Sequence, residues 1–504
     1  MKFIIILLSL ALLISGVGAV KLDASTQIDW SEFAGGPINI TYNWTDHVYT
    51  QIHDVVNGTA KQDAVTYSQL LQPGGNVSYS GYVQSGQLAP QTSSRVFLFT
   101  VPWLGLQRAV ALRADGWPLS ISSSNSTAIQ AALNLGGKVE LCNMFDISTS
   151  LQLNHTVVLA GNGPTTGVRG SVNPLINISE IPSVRWHITE MGINVTGTNT
   201  GVEVWTNSSK AAHAPNMLYW QIDHNVLTSE AGTGTLIHLS ALEGIDISHN
   251  MLMGPNDARN NPSNTAVGIR AELLNAFSYY GNCGWANNYF VSLHHGIYAT
   301  GRTDRSVYAY GIRIVDSTFI SCYYGILLQY IDTPTIIGCM IDNDELPVKL
   351  HGCNSPSIIG SYIATQGQFM GVALWVRGEG LPLTGGRISN CDIRNLNATA
   401  PNYAMLFQSV GSTDYERINR WDINHNMIDN GEVGILVLAT TPTGFSENAI
   451  DFNTFRSSSD SNIYLTAGLN NSVRYNRMFN TTVGLRDLAT GTISTGNYHN
   501  GVPE

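Results

Sequence analysis

Three copies of one phrase, between Ile314 and Leu374, decide the fold: Ile314-Val-Asp-Ser-Thr-Phe319, Ile336-Ile-Gly-Cys-Met-Ile341 and Ile358-Ile-Gly-Ser-Tyr-Ile363. Ser317, Cys339 and Ser361 hold the same place in it, 22 residues apart each time. A second apolar run follows each copy: Gly325-Ile-Leu-Leu328, Pro347-Val-Lys-Leu350 and Val372-Ala-Leu-Trp375. A strand, a tight turn, a strand, a loop and a third strand, recurring at this interval, spell a coiled stack of parallel strands. No single repeat buries its apolar face alone, so each must stack on the next.

The same turn position continues in both directions. Asn225, Asn250 and Asn288 precede it, and Cys391, Asn426, Asn453, Asn476 and Asn497 follow it. Asn tolerates the left-handed backbone of a tight corner, and its amide can bond to the Asn of the next coil. Coils are therefore expected from about Trp186 to the end. Upstream, Ser126–Leu135 reads as a short amphipathic helix, capped by Ser or Thr and ended by Gly136-Gly137. Strand signals follow at Val139–Leu141, Leu151–Leu153 and Thr156–Ala160. A helix in front of the first coil is expected to act as a cap, because an open coil exposes an apolar cross-section and unpaired backbone groups. Residues 20–116 lack the repeat and carry one alternating strand, Arg95–Val101. They read as a small, mostly-β domain of unknown role ahead of a β-helix domain at 117–504.

Residues 1–19 read as a secretory signal: a basic start, an apolar run from Phe3 to Ile14, and small residues at Val17-Gly-Ala19. An uncleaved anchor is the alternative, although the run is short for a bilayer. No later stretch is apolar enough to span. Only 12% of residues are charged and the net charge is −11. Without a basic patch, nucleic acid is not an expected partner. Asn-x-Ser/Thr acceptors are frequent, among them Asn39, Asn154, Asn397 and Asn480, which suits an exported glycoprotein. None of the six cysteines forms a C-x-x-C pair or a zinc spacing. Cys339 and Cys391 share a repeat position two coils apart, about 9–10 Å at the usual strand spacing. That exceeds disulfide reach, so buried thiols are expected.

The helix-then-coils layout of 126–163, with the Ile-x-x-Asn-x-Ile/Phe and Gly-Ile-x-Leu phrases that follow, resembles the right-handed parallel β-helix superfamily of pectate lyases and polygalacturonases. The resemblance implies an all-β, single-stranded right-handed parallel β-helix solenoid and a carbohydrate-related role. It does not extend to a catalytic motif. The acidic pair of polygalacturonases is missing, and His294-His-Gly296 and Arg313-Ile-Val315 are distant echoes of the rest of that pattern. Trp220-Gln-Ile-Asp-His224 looks like a lyase motif. However, Ile-x-His-Asn recurs at Ile222–Asn225, Ile247–Asn250 and Ile423–Asn426, so it reads as a turn phrase.

The superfamily carries its groove on the strand that follows the turn and loop. With Ile297, Ile326, Val348 and Leu374 pointing inward, alternation sends His238, Arg270, Glu272, Tyr298, Gln329, Lys349, His351, Ala373, Trp375 and Arg377 outward. After Leu406 that face turns aliphatic. Aromatic rings and cations on one face suit an acidic polysaccharide. Elimination at a uronic acid needs a base, for which Lys349 or His351 stand as candidates. Arg270 or Arg377 would neutralise the carboxylate, and Tyr298 would supply the acid. Hydrolysis needs two carboxyls. Glu272 is the one found on this face, with Asp257, Asp342, Asp344, Glu345 and Glu379 on neighbouring loops. His238, Gln329, Trp375 and Arg377 are the expected substrate contacts. Asp342-Asn-Asp-Glu345 is the one calcium (Ca2+) candidate, and no other cofactor is expected. The expectation is a secreted polysaccharide lyase, or a related epimerase or glycoside hydrolase. The alternative is a non-catalytic glycan-binding, adhesin-like or virion-surface β-helix.

Overall fold

A computed structural model describes residues 95–504 apart from 104–105, 114–117, 180–184, 206–219, 241–244, 257, 259–260, 262, 273–283, 302–308, 367–370, 379–382, 397–401, 410–416, 430 and 504. Before residue 95 it describes only the strands Ile28–Asp29, Asn39–Asn43 and Val48–His53. The signal, Cys283, Asp257, Glu379 and most of 20–94 lie outside the described residues. The chain divides into two units, Met1–Asn143 and Met144–Glu504.

In the first unit, Arg95–Trp103 pairs antiparallel with Leu106–Arg113 and parallel with Gly137–Leu141. Helix α1, Asn125–Leu135, packs against this sheet through Ala128, Ile129, Ala132 and Leu133. Ser124 caps it: its Oγ accepts from the Thr127 N–H at 3.3 Å. Gly136 ends it at φ 73°, a conformation that costs glycine nothing.

The second unit is the solenoid. Its first pairings lie ahead of Trp186, at Met144–Asp146 and Leu151–Gln152. Three faces of parallel strands then run along it. The first holds β1 (Thr200–Trp205), β2 (Thr235–Ser240), β3 (Val267–Glu272), β4 (His295–Thr300), β5 (Tyr324–Gln329), β6 (Leu346–His351), β7 (Val372–Gly378), β8 (Tyr403–Ser409) and β9 (Val433–Ala439). The two halves of the turn phrase form the other faces, as in Arg313–Val315 with Thr335–Ile337, and Thr318–Ile320 with Met340–Asp344. The core is a column of Ile, Val, Leu and Phe, almost all with no exposed surface.

The phrase explains itself at the corner. Asn426 donates from Nδ2 to the Ile388 carbonyl at 2.9 Å, and its own N–H donates to Asn453 Oδ1 at 3.0 Å. Asn453 repeats this to Asn476, and Asn476 to Asn497. The coil-to-coil amide bonds expected from the sequence are present. The left-handed backbone is not at these residues, however. It falls one place earlier, at His224, His249, Asn390, His425, Phe452 and Tyr475. The ladder Asn must turn its side chain into the stack, so the preceding residue makes the bend.

The Gly-Ile-x-Leu phrase also has a packing cause. The second and third residues of each first-face strand are both buried, as in Leu236-Ile237 and Gly325-Ile326. A Cβ on Gly296 would meet the Phe319 ring at 2.6 Å and the Gly325 carbonyl at 2.7 Å. One on Gly434 would meet the Asn462 carbonyl at 2.6 Å and the Phe455 ring at 2.8 Å. Strict alternation therefore fails at the strand start. Ala373, expected outside, is fully buried.

All cysteines among the described residues are free thiols. Burial pushes Cys339 and Cys391 up to about 11 and Cys353 up to about 12, which leaves them inert. No helix among the described residues is long and apolar enough to cross a membrane.

Candidate functional site

His238, Arg270, Glu272, Tyr298, Gln329, Lys349, His351, Trp375 and Arg377 stand on the outer side of the first face, in two ladders one coil per step. One ladder reads Glu203, His238, Arg270, Tyr298, Leu327, Lys349, Trp375 and Leu406. The other reads Trp205, Ser240, Glu272, Thr300, Gln329, His351, Arg377 and Gln408. A third row, which alternation missed, is formed by the first residues of the strands. It includes His295, Tyr324 and Leu346. It lies outside because the next two residues both turn in.

These residues gather into two groups. The first spans β1 to β4. His238 sits between two carboxylates, with Nδ1 3.4 Å from Glu203 Oε1 and Nε2 3.6 Å from Glu272 Oε2. Arg270 Nε donates to Glu272 Oε1 at 2.7 Å, and Nη2 bonds to the same oxygen. The Arg270 guanidinium also lies 5.7 Å from the Tyr298 ring centre, and the Tyr298 hydroxyl donates to Gln329 Oε1 at 3.4 Å. Glu203 is a second carboxyl beside Glu272. The phrase Gly201-Val-Glu-Val204 carries its signal, since it matches Gly-Ile-x-Leu one coil before the first one considered.

The second group spans β6 and β7. Lys349 Nζ stands 4.3 Å over the Trp375 ring, and Trp375 packs against the apolar cluster of Leu346, Val372, Leu406, Val433 and Leu436. Trp375 is thus a pedestal for the ammonium rather than an open stacking platform. His351 pairs in register with Arg377, and the Tyr330 ring lies 5.2 Å from the His351 ring. Tyr330 sits in the turn after β5 at φ 55°, where strand periodicity gives no warning of it.

Three steps along the ladder separate Arg270 from Lys349, and Glu272 from His351. At the usual spacing between neighbouring strands that is about 14 Å. The two groups therefore cannot act on one bond. Lys349 and His351 share their neighbourhood with Arg377, not with Arg270 or Tyr298.

Between the groups lies an aromatic step. His294 Nδ1 is 2.8 Å from His295 Nδ1, and Tyr323 and Tyr324 stack on the two rings at 5.0 and 4.8 Å. Burial, then the charges of His294 and Arg270, hold His295 down at about 3. Burial pushes both tyrosines up, and Glu345 adds to this. Glu345 is fully buried beside them, whereas Asp342 acts on Tyr362. Asp342 and Glu345 therefore place their carboxylates apart from one another. Among the described residues no three His, Cys, Asp or Glu side chains come together as metal ligands.

The turn phrase at Trp220 is half structural. Trp220 and Ile222 are buried, but Asp223 faces out, away from the first face, and bonds at 2.8 Å to His187 Nε2 on the neighbouring strand. Burial works against ionisation of Asp223, but bonds from Thr189 and His187 outweigh it and hold its carboxyl below the usual range.

No protein-family model matches the chain, and no curated protein matches it. Among solved structures it is similar to the Dettilon tailspike protein at 13% identity, over 75% of this chain and 63% of that one, with a TM-score of 0.44. It is also similar to the catalytic domain of a GH87 α-1,3-glucanase in complex with tetrasaccharides, at 14% identity, 74% and 67% coverage, and a TM-score of 0.45. A third is the A-module of the Azotobacter vinelandii mannuronan C-5 epimerase AlgE4, at 13% identity, 74% and 96% coverage, and a TM-score of 0.39. The chain spans about three fifths of the length of the Dettilon tailspike protein and of the bacteriophage CBA120 tailspike protein 3, to which it is also similar. By its own coil repeat and strand register, the solenoid from Met144 onward is a parallel β-helix.

Proposed function

We propose that the protein is an exported enzyme that cleaves an acidic polysaccharide by elimination, with its reaction centre at Lys349, His351, Arg377 and Tyr330. One observation carries this reading. From β4 to β9 the three outward rows hold no carboxylate, yet Lys349, His351 and Arg377 stand on adjacent coils. In a chain of net charge −11 that is a cationic island on an extended face. It suits a uronate carboxylate, which Arg binds in a bidentate fashion and Lys meets as a point charge.

The chemistry follows from the neighbours. Arg377 and Lys349 neutralise the uronate and so acidify the proton on C5. His351 takes that proton on a ring nitrogen. The C5–H electrons form the C4–C5 double bond as the C4–O bond breaks, and the Tyr330 hydroxyl gives its proton to the departing oxygen. Hydrolysis fits less well. It needs two carboxyls across an open gap, and the one such pair on this face among the described residues, Glu203 and Glu272, has the His238 ring between its members.

The test is incubation of the purified chain with polygalacturonate, alginate, hyaluronan and chondroitin, followed at the absorbance of unsaturated uronate ends. The expected outcome is new unsaturated ends on at least one of them. Reducing ends without unsaturation would replace elimination by hydrolysis. Binding without either kind of end would make the face a glycan-binding surface.

A further inference from the structure

The proposed reaction centre explains why one half of the face is cationic, but not why the other half is acidic. Resting on that reading, we infer that the β1–β4 group is a subsite for an uncharged or amino sugar. The substrate is then a mixed polymer whose units alternate between acidic and non-acidic, rather than a chain acidic at every unit.

The charges support this. Two carboxylates, Glu203 and Glu272, flank His238, and Arg270 spends Nε and Nη2 on Glu272. The one guanidinium here is spent on Glu272, so a uronate placed on this group meets no open cation and, with two carboxylates against one guanidinium, a net negative charge. Carboxylates and an imidazole are good partners for sugar hydroxyls or an ammonium. Trp205, 39% exposed, stands on the same ladder as Glu272, one coil beyond Ser240, and offers an indole to a sugar ring.

The spacing supports it too. Glu272 and His351 are three coils apart, about 14 Å. A pyranose unit in an extended chain advances by about one coil. A polymer lying along the axis with its reacting uronate at His351 therefore sets its third neighbour on the acidic group. In an alternating polymer every odd neighbour of a uronate is the non-acidic unit. In a polyuronate that neighbour is one more carboxylate.

The experiment compares kcat/KM on the alternating polymers hyaluronan, chondroitin and rhamnogalacturonan with that on the homopolymers polygalacturonate and alginate, at equal low ionic strength. The wild-type chain is expected to prefer an alternating polymer by about tenfold or more. The double variant Glu203→Gln, Glu272→Gln, shown to be folded by its melting curve, is expected to narrow that preference about tenfold, through a lower KM for homopolymers. A preference for homopolymer, or a preference unchanged in the folded double variant, overturns the inference while leaving elimination intact. Absence of reaction with all five polymers overturns elimination itself, and this inference with it.

Discussion

The β1–β4 and β6–β7 stretches of one sheet share backbone, register and outward rows, yet they carry opposite chemistry. Glu203, His238, Arg270 and Glu272 compensate one another within three coils. Lys349, His351 and Arg377 face outward on a stretch, β4 to β9, whose rows hold no carboxylate. A solenoid allows this because each coil contacts only its neighbours. Charge can be segregated along the axis without disturbing the core, and a polymer lying along the axis can read both halves at once. The comparison teaches that outward placement alone does not make a site; the neighbours one coil away do.

The largest test of the contrast is a matched pair of substitutions. His351→Gln is expected to lower kcat by about 10²–10⁴-fold, as loss of a general base does. His238→Gln is expected to leave kcat within about tenfold and to act on KM. The rate of unsaturated-end formation reads both. If His238→Gln is the more damaging for kcat, the reaction centre moves to the β1–β4 group.

A smaller effect should appear in stability. His295 and Leu346 hold the same strand position two coils apart, and only the first titrates. His295 sits at about 3 when folded, against an ordinary value near 6.5. Above pH 6.5 it is neutral in both states and contributes nothing. As the pH falls below 6.5 the unfolded chain takes up a proton that the folded chain refuses, and stability is lost until about pH 3. The loss is about 3 kcal/mol at pH 4. Urea melts at pH 7 and pH 4 check it: His295→Gln should lose about that much less than wild type over the interval. Equal losses would show that His295 takes up its proton in the folded state.

The smallest effect concerns the pedestal. Trp375→Leu removes the ring under Lys349, a contact of about 1 kcal/mol. KM for the acidic polymer should rise several-fold with kcat little changed, and the difference from wild type should shrink at high salt. A fall in kcat with unchanged KM would instead give Lys349 a part in the bond-breaking step.

Much of this was legible in the residues. The repeats at Ser317, Cys339 and Ser361 announce the coil, and alternation from Ile326 and Val348 assigns Lys349 and His351 to the outer side. Glu203 was within reach too, through Gly201-Val-Glu-Val204. Other residues were hidden by packing. His295 and Tyr324 lie outside because Phe319 and its counterparts take the space behind the second strand residue, which must then be small or turn in. Tyr330 stands in a turn, where no period applies. The corner bend at His425 and Phe452, one residue before the ladder Asn, follows from the Asn side chain being spent on the stack.

The sequence by itself determined the coil, its three strands and the side of the sheet that strand residues take beyond the first two of each first-face strand. These are local properties, written in spacing and alternation. Only the tertiary structure decided which of those residues work together. Arg270 and Lys349 look alike as outward cations, yet one is held by a carboxylate on its own strand and the other rides on a tryptophan one coil away. Such partnerships join residues as many as 26 to 35 positions apart, like Lys349 with Trp375 and His238 with Glu203. They depend on how the loop between two strands sets the next coil in register, and that length varies from coil to coil.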